Sequence, residues 1–151
     1  MRGNEVEIAT TVNTTDWLKD NGFMKVGKFI EKSSNGSGIG IEFIDNKFVN
    51  GEKDWIYAIV FDGVIKYLGE TAQTLAKRMR LYYLEARKDS TNSAMREKLK
   101  DLLHKGHTFH IYAQQAPIIN HNGKEIRLRV DLEIALIKEL RPKWNKKGLY
   151  S

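Results

Sequence analysis

The hydrophobic and polar positions along the chain follow two periods, one typical of strands and one typical of helices. Strand-like runs are FMKVGKFI, IGIEFI, WIYAIVF, VIKYL, HTFHIYAQQA and KEIRLRV. Helical spacing of apolar residues occurs in TTDWLKDNG, over residues 71–88, over residues 90–106 and in DLEIALIKEL. The strands and helices do not alternate in a regular βαβ rhythm, so the sequence predicts an α+β fold.

The chain has 151 residues, of which 41% are hydrophobic, and this suits one globular domain with its own core. We therefore predict a single domain over residues 1–151. Residues 1–50 are expected to form an N-terminal extension that packs on or beside the rest, and residues 86–106 an inserted helix. Thr71 is the expected N-cap of the helix that precedes this insert.

The hairpin signal Asp62-Gly63 lies between the strand that carries Tyr57 and the strand that carries Tyr67. A two-residue turn would place the two tyrosines on opposite faces of the sheet. A three-residue loop with the glycine in the left-handed region would pair Val60 with Val64. It would also set the two tyrosines directly across from each other, with Cβ atoms roughly 5 Å apart. We predict the second register, because only this register pairs the two hydroxyl groups.

The charge balance and the absence of cysteine narrow the possible partners. The net charge is +6 and the isoelectric point is near 9.4, which favours a polyanionic partner such as nucleic acid. A sequence without cysteine has no disulfide framework and no thiolate metal site. No apolar run has the length of a membrane span, and the N-terminus lacks a signal-peptide pattern, so we expect a cytoplasmic protein with no membrane partner.

One segment resembles the signature of a known enzyme family. The run IYAIV, followed about ten residues later by YLG, is similar to the two motifs of the GIY-YIG nucleases. The resemblance continues to Lys147, and among family members the small phage and restriction endonucleases look most similar. It implies an α+β fold with a small mixed or antiparallel sheet flanked by helices. The residues at the family's site positions are Tyr57, Tyr67, Arg78, Tyr82, Glu133 and Asn145.

Two positions depart from the usual pattern of the family. The first motif begins with Trp55 instead of glycine. Glu70 stands where many members have a lysine, and a carboxylate cannot donate a hydrogen bond to a phosphate as lysine does. Lys66 and Lys77 are the candidates for the role of the missing lysine.

The resemblance implies a metal-dependent DNA endonuclease that hydrolyses phosphodiester bonds and leaves 5'-phosphate and 3'-hydroxyl ends. Glu133 would bind a single Mg²⁺ or Mn²⁺, and Arg78 would clamp the phosphate. Tyr57 would take the proton of the attacking water if a nearby cation lowers its pKa. The remaining site residues would orient water or phosphate or brace the site: Tyr67, Tyr82 and Asn145.

The residues taken alone leave other interpretations open. The two tyrosines could be ordinary strand residues, with Arg78 a solvated helix charge and Arg80 a rival for its role. Glu133 could simply favour the N-terminal part of its helix through the helix dipole. At the level of function, the alternatives are a non-catalytic nucleic-acid-binding module on the same fold and a structure-specific repair nuclease.

Double-stranded DNA is the expected partner. We expect contacts from basic and amide side chains outside the tyrosine hairpin, with Asn92 and Arg96 reading bases. Cutting both strands with one site per chain needs two chains or two visits, so a homodimer or a larger even-numbered oligomer is expected. The predicted DNA-binding residues are Arg80, Arg87, Lys88, Asn92, Arg96, Lys100, Lys124, Arg127, Arg129 and Lys146.

Overall fold

The computed structural model describes residues 14–32, 38–48, 51–83 and 91–145. Twelve elements follow one another within these described ranges, including a short 3-10 turn over Asn46–Phe48. The strands are β1 (Met24–Glu31), β2 (Ile39–Phe43), β3 (Trp55–Phe61), β4 (Val64–Thr71), β5 (Phe109–Gln115), β6 (Ile118–His121) and β7 (Lys124–Arg127). The helices are α1 (Thr15–Asp20), α2 (Leu75–Tyr83), α3 (Thr91–His104) and α4 (Arg129–Leu140).

Five strands form one sheet in the order β2-β1-β5-β3-β4, and every neighbouring pair is antiparallel. Strands β6 and β7 form a separate two-stranded ribbon. The predicted α+β class with a small antiparallel sheet is therefore confirmed. The described part of the predicted N-terminal extension joins this sheet, because β1 pairs with β5 and β2 pairs with β1.

The core occupies both faces of the sheet. Strand β3 lies between β4 and β5, and six of its seven residues are buried. Its alternate residues face opposite layers. Tyr57 and Ile59 pack on one face with residues of α2 and α3, and Ile56 packs on the other face with residues of α1 and α4. The sheet thus directs Tyr57 toward α2.

The β3–β4 turn differs from the prediction. Asp62 and Gly63 have φ angles of 51° and 78°, and Phe61 pairs directly with Val64. Two consecutive left-handed residues make a two-residue turn, which matches the right-handed twist of antiparallel strands. The predicted three-residue loop is wrong, although the predicted left-handed conformation of Gly63 is confirmed.

A β-bulge then places the two tyrosines on one face in spite of the two-residue turn. The pairing of β3 with β4 shifts between Val60 and Ile59, and Lys66 is the additional residue of β4. Tyr67 consequently lies across from Ile59, and Tyr57 lies across from Gly69. The tyrosines are diagonal neighbours instead of direct partners.

Helix α2 begins later than the sequence indicates. Thr71 is the last residue of β4, and its hydroxyl accepts a hydrogen bond from the Gln73 N–H at 3.0 Å. The predicted N-cap is therefore wrong. Thr74 has that role, because its hydroxyl accepts the Lys77 N–H at 3.2 Å at the start of α2. Among the described residues, no helix combines the length and apolar character needed to cross a membrane.

Candidate active site

Three tyrosines from β3, β4 and α2 converge on one side of the sheet. The ring centroids of Tyr57, Tyr67 and Tyr82 are 6.3 Å apart in each pair. Tyr57 and Tyr82 are buried, and their hydroxyl oxygens are 2.6 Å apart. Tyr67 is half-buried, and within the described part of the chain its hydroxyl has no hydrogen-bond partner. The predicted clustering of these residues is present, with two hydroxyls enclosed and one facing outward.

Arg78 joins the tyrosine cluster from α2. Arg78 and Tyr82 are four positions apart and therefore lie on the same face of this helix. The Arg78 Nη2 group donates a hydrogen bond to the Tyr82 hydroxyl at 3.1 Å. Its guanidinium carbon lies 4.8 Å from the Tyr82 ring centroid and 5.7 Å from that of Tyr57. The rival residue Arg80 is exposed, so Arg78 is the arginine at the cluster.

Burial dominates the electrostatics of the two enclosed tyrosines. Burial raises the pKa of Tyr57 well above its ordinary value of 10, and the opposing effect of the Arg78 charge is smaller. Burial likewise raises the pKa of Tyr82. The nearby Arg78 cation does lower the pKa of Tyr57, but burial outweighs this effect, so the condition for Tyr57 to accept a proton is not met and its hydroxyl stays protonated at neutral pH.

Gly69, the glycine of YLG, provides the space that Tyr57 occupies. A Cβ atom at this position would lie 2.5 Å from the Tyr57 hydroxyl oxygen and 2.6 Å from the ring carbon that carries it. Both distances are far inside van der Waals contact. Gly69 lies directly across from Tyr57 in the sheet, so the second motif needs glycine to admit the tyrosine of the first.

Asn145 attaches the segment after α4 to the outer strand of the sheet. Its side-chain amide accepts a hydrogen bond from the Leu68 N–H at 3.0 Å and donates one to the Leu68 carbonyl at 2.8 Å. The Trp144 N–H donates to the carbonyl of the bulge residue Lys66 at 2.8 Å. These bonds to backbone agree with the expectation that Asn145 braces the site, and its catalytic contribution stays a prediction.

Glu133 is a half-buried carboxylate on the second turn of α4. Burial and the negative charge of Glu70 raise its pKa to about 7, against smaller opposing effects of Arg78 and Arg129. Among the described residues it has no hydrogen-bond or salt-bridge partner. A half-buried carboxylate without a direct ion pair is unfavourable in its charged form, and a bound cation would stabilise it.

Glu70 has a different environment from Glu133. The Arg129 Nε group donates to the Glu70 carboxylate, and Arg129 Nη1 donates to Asp54 at 2.6 Å. Arg127 also donates to Asp54. Glu70 is therefore held by a guanidinium group. Asp54 was not expected at the site, and no local pattern around it indicates its distant partners.

The predicted DNA-binding residues fall into several environments. Arg80, Lys100 and Lys124 are exposed, but Arg96 is only 7% exposed. The Arg96 side chain is enclosed by the protein and would have to move to reach a base, so its base contact stays a prediction. Arg127 and Arg129 form ion pairs with carboxylates. The remaining residues lie outside the described residues or have undescribed side chains: Arg87, Lys88, Asn92 and Lys146.

Lys100 lines a surface groove of about 800 Å³ between β1, the start of β2 and α3. Three carboxylates share this groove with it, so the local charge does not favour a phosphate backbone there. The described residues that line the groove are Glu31, Gly38, Glu97, Lys100, Asp101 and His104.

Comparison with solved structures identifies the fold. A point mutant of bacteriophage T4 EndoII has a TM-score of 0.68 and 20% sequence identity, over 89% of this chain and 99% of that chain. The chain has a GIY-YIG nuclease-like fold. The restriction endonuclease Hpy188I in complex with product DNA has a TM-score of 0.54 and 19% identity, over 81% of this chain and 73% of that chain. No protein-family model and no curated protein sequence matches the chain.

The family resemblance drawn from IYAIV and YLG is thus confirmed at the level of the fold. Both of these structurally similar proteins are endonucleases. At identities of 19–20%, this similarity establishes architecture and leaves the chemistry of the present chain to its own residues.

Proposed function

We propose that this chain is a metal-dependent DNA endonuclease that hydrolyses phosphodiester bonds and leaves 5'-phosphate and 3'-hydroxyl ends. The observation that carries the proposal is Glu133, a half-buried carboxylate that forms no hydrogen bond or salt bridge with a described residue and lies within the electrostatic influence of Arg78 at the tyrosine cluster. A nucleic-acid-binding module has no use for an unneutralised carboxylate beside phosphates, whereas a metal-dependent nuclease does.

Glu133 fits a hard divalent cation. Its carboxylate oxygens are the ligand type that Mg²⁺ and Mn²⁺ prefer. Among the described residues, no group of three or more potential ligand side chains surrounds a common point. One protein carboxylate with water and phosphate oxygens in the remaining positions is the arrangement that these residues allow. When bound, the ion would act as a Lewis acid on a phosphoryl oxygen.

Arg78 is the residue proposed to bind the scissile phosphate. Its guanidinium group is permanently charged and planar, which suits the geometry of phosphate oxygens. The hydrogen bond to Tyr82 and the contacts with two tyrosine rings fix its orientation before DNA arrives. A charge held in place in advance stabilises the transition state without a reorganisation cost.

Tyr67 is the residue proposed to orient the attacking water. Tyr57 and Tyr82 are enclosed and bonded to each other, whereas the Tyr67 hydroxyl faces outward from the same cluster. We therefore assign the buried pair to holding Arg78 and the outer hydroxyl to contacting water. Asn145 and Gly69 support this arrangement by fixing β4, the strand that carries Tyr67.

The proposed partner is double-stranded DNA, contacted by exposed basic residues such as Arg80 and Lys124. We also propose a homodimer or a larger even-numbered oligomer, because a single site per chain cuts one strand at a time. Light scattering of the protein, free and bound to DNA, tests the assembly. A 17.4 kDa monomer in free solution and a complex of one chain per DNA duplex would contradict it.

Digestion of a sequenced plasmid with Mg²⁺, followed by mapping of the ends, tests the activity. Glu133→Gln is the matched variant, because glutamine keeps the shape and removes the charge. We expect the wild type to cut, and Glu133→Gln to bind DNA with unchanged affinity without cutting. DNA binding without any cleavage by the wild type would instead indicate a non-catalytic binding module.

A further inference from the structure

A group of four charged side chains lies where β3 begins, β4 ends and α4 begins. Asp54 accepts hydrogen bonds from Arg127 and from Arg129, and Arg129 also donates to Glu70. We call these residues, Asp54, Glu70, Arg127 and Arg129, the ion-pair network. The Asp54 and Arg129 side chains are only 10% and 19% exposed, so their pairing is largely shielded from water. Shielded, hydrogen-bonded ion pairs are far more sensitive to loss of one partner than exposed pairs.

Asp54 adopts a backbone conformation that is uncommon for residues other than glycine. Its φ angle is 65°, in the left-handed region. Its carbonyl accepts the Ala116 N–H at 2.9 Å, which ties it to the chain just after β5. A non-glycine residue stays in this region when surrounding contacts hold it there. The carboxylate of Asp54 is thus fixed by the backbone immediately before the strand that carries Tyr57.

Arg129 and Glu133 lie on one face of α4. They are four positions apart, which is about one helical turn, and Arg129 is the first residue of the helix. The two buried residues of α4, Ile137 and Leu140, are in its C-terminal half. The N-terminal half is more exposed, with Val130 at 46%. Leu132 is partly buried against the same core, so apolar packing is strongest at the far end of α4, and the ion pairs of Arg129 add to it at the turn that presents Glu133.

The first turn of α4 also lacks a side-chain cap, because its N-cap residue is Leu128. The ion pairs of Arg129 connect this turn to two separate points of the sheet: Asp54 before β3 and Glu70 on β4. Those strands carry Tyr57 and Tyr67. The ion-pair network therefore joins the helix of the carboxylate to the strands of the tyrosines.

We propose that Asp54 and Arg129 are positioning residues that hold Glu133 in place for the metal. Arg129 binds Asp54 and thereby fixes the first turn of α4. Arg129 also forms an ion pair with Glu70, so Glu133 remains the carboxylate without a salt bridge that can bind the metal. This inference rests on the proposed function, because it concerns the same metal and the same cleavage site. Neither residue touches the phosphate or the metal in this assignment.

The test is Mn²⁺ binding to the protein without DNA, measured by isothermal titration calorimetry. Arg129→Lys keeps the charge and loses the planar fork, and Asp54→Asn keeps the shape and loses the charge. We expect each to weaken Mn²⁺ binding by about 10-fold or more, which is typical when a partner that orients a metal ligand is removed. DNA affinity without metal should stay unchanged. The Mn²⁺ concentration for half-maximal cleavage should rise by the same factor.

Arg127→Lys is the matched control. Arg127 binds the same Asp54 carboxylate but comes from β7 and is 48% exposed. We expect its Mn²⁺ affinity to stay within about twofold of wild type, because surface pairs contribute little. The double variant of Asp54→Asn and Arg129→Lys should be no worse than the more affected single variant, because the two residues act through each other.

Unchanged Mn²⁺ affinity in a folded Arg129→Lys protein would overturn the inference. If Asp54→Asn does not fold, the test rests on Arg129→Lys. Thermal melts monitored by circular dichroism establish folding. The outcome is separable from failure of the proposed function. If the wild type neither binds Mn²⁺ nor cuts DNA, the function is wrong. If it does both and Glu133→Gln loses both while the network variants keep both, only the positioning role is wrong.

Discussion

The hydroxyl oxygens of Tyr57 and Tyr82 are 2.6 Å apart in the interior, although the residues are 25 positions apart in the chain. This bond joins the first motif strand to α2 and leaves Tyr67 as the outward hydroxyl of the cluster. Each of the two hydroxyls provides the other with a hydrogen-bond partner in the core. Replacing one tyrosine with phenylalanine would remove that partner from the remaining hydroxyl, and a buried hydroxyl that loses a partner is costly.

The tyrosine hydroxyls should separate into structural and functional groups. Tyr57→Phe removes the buried hydrogen bond, so it should lower the free energy of unfolding by about 1 kcal/mol. Tyr67→Phe should leave stability unchanged, since its hydroxyl has no partner among the described residues, and should lower the cleavage rate by about 10- to 100-fold. Urea unfolding and single-turnover cleavage measure the two effects. Full activity of Tyr67→Phe would contradict the assignment of the water to this residue.

Two arginines on α2 provide a direct comparison. Arg78→Lys loses the planar fork and the fixed contact with Tyr82, and we expect its cleavage rate at saturating metal to fall by about 100-fold. Arg80→Lys, two positions away and exposed, keeps the positive charge proposed to contact DNA, so it should cut at nearly the wild-type rate. Single-turnover rates on one duplex substrate measure both. Equal losses of cleavage rate in the two variants would contradict the assignment of the scissile phosphate to Arg78.

The carboxylate of Glu133 should make stability depend on pH. Burial, with the charge of Glu70, raises its pKa to about 7, above the value of the unfolded chain. The folded state therefore holds a proton that the unfolded state has released, and stability decreases as the pH rises from about 4.5 to about 7. Above that range, Glu133→Gln should be more stable than wild type by about 1 kcal/mol, after allowance for solvent screening.

Chemical unfolding of wild type and Glu133→Gln at pH 5 and pH 8 measures this difference. The gain from the substitution should be present at pH 8 and largely absent at pH 5. The same proton should compete with metal, so the Mn²⁺ concentration for half-maximal cleavage should increase as the pH falls below about 7. If the Mn²⁺ concentration for half-maximal cleavage were the same at pH 6 and pH 8, the assignment of Glu133 as a metal ligand would be contradicted.

Gly69 should tolerate no side chain. Gly69→Ala places a Cβ atom 2.5 Å from the Tyr57 hydroxyl oxygen, and overpacking of this kind typically costs 1–3 kcal/mol. The displaced ring should also disturb Arg78 and lower the cleavage rate. The control is Gly63→Ala, where no atom lies within 4 Å and only the φ angle of 78° opposes the change. Thermal unfolding should show the larger loss for Gly69→Ala, and cleavage should be affected only by that variant.

Asn145 should be important for the position of β4. Asn145→Ala leaves the N–H and the carbonyl of the buried residue Leu68 without their partners, and we expect a loss of about 2 kcal/mol. Asn145→Asp keeps an acceptor for the N–H but loses the donor to the carbonyl, so its loss should be smaller. Hydrogen exchange of the Leu68 amide reports the contact directly. Wild-type protection of this amide in Asn145→Ala would show that another group anchors the strand.

The amino-acid sequence by itself determined the fold class of this protein and most of its elements. Exceptions are β6, which no predicted run covers, and Arg129 with Val130, which begin α4 instead of ending a strand. Strand and helix periods are local properties, and so are turn preferences such as that of Asp62-Gly63, which adopts left-handed angles. The motif pair IYAIV and YLG also indicated which tyrosines would meet. These features could be predicted because the residues that specify each of them are neighbours in the sequence.

Only the tertiary structure decided the register of the hairpin and the roles within the site. The bulge at Lys66 follows from the need to bury alternate residues of β4 on two different core layers, and no local residue type requires it. The pKa of Tyr57 follows from its complete burial, which outweighs the charge of Arg78. The pairing of Asp54 with Arg129 spans 75 positions. Burial and long-range pairing depend on how the elements pack together, and a local sequence pattern does not specify that packing.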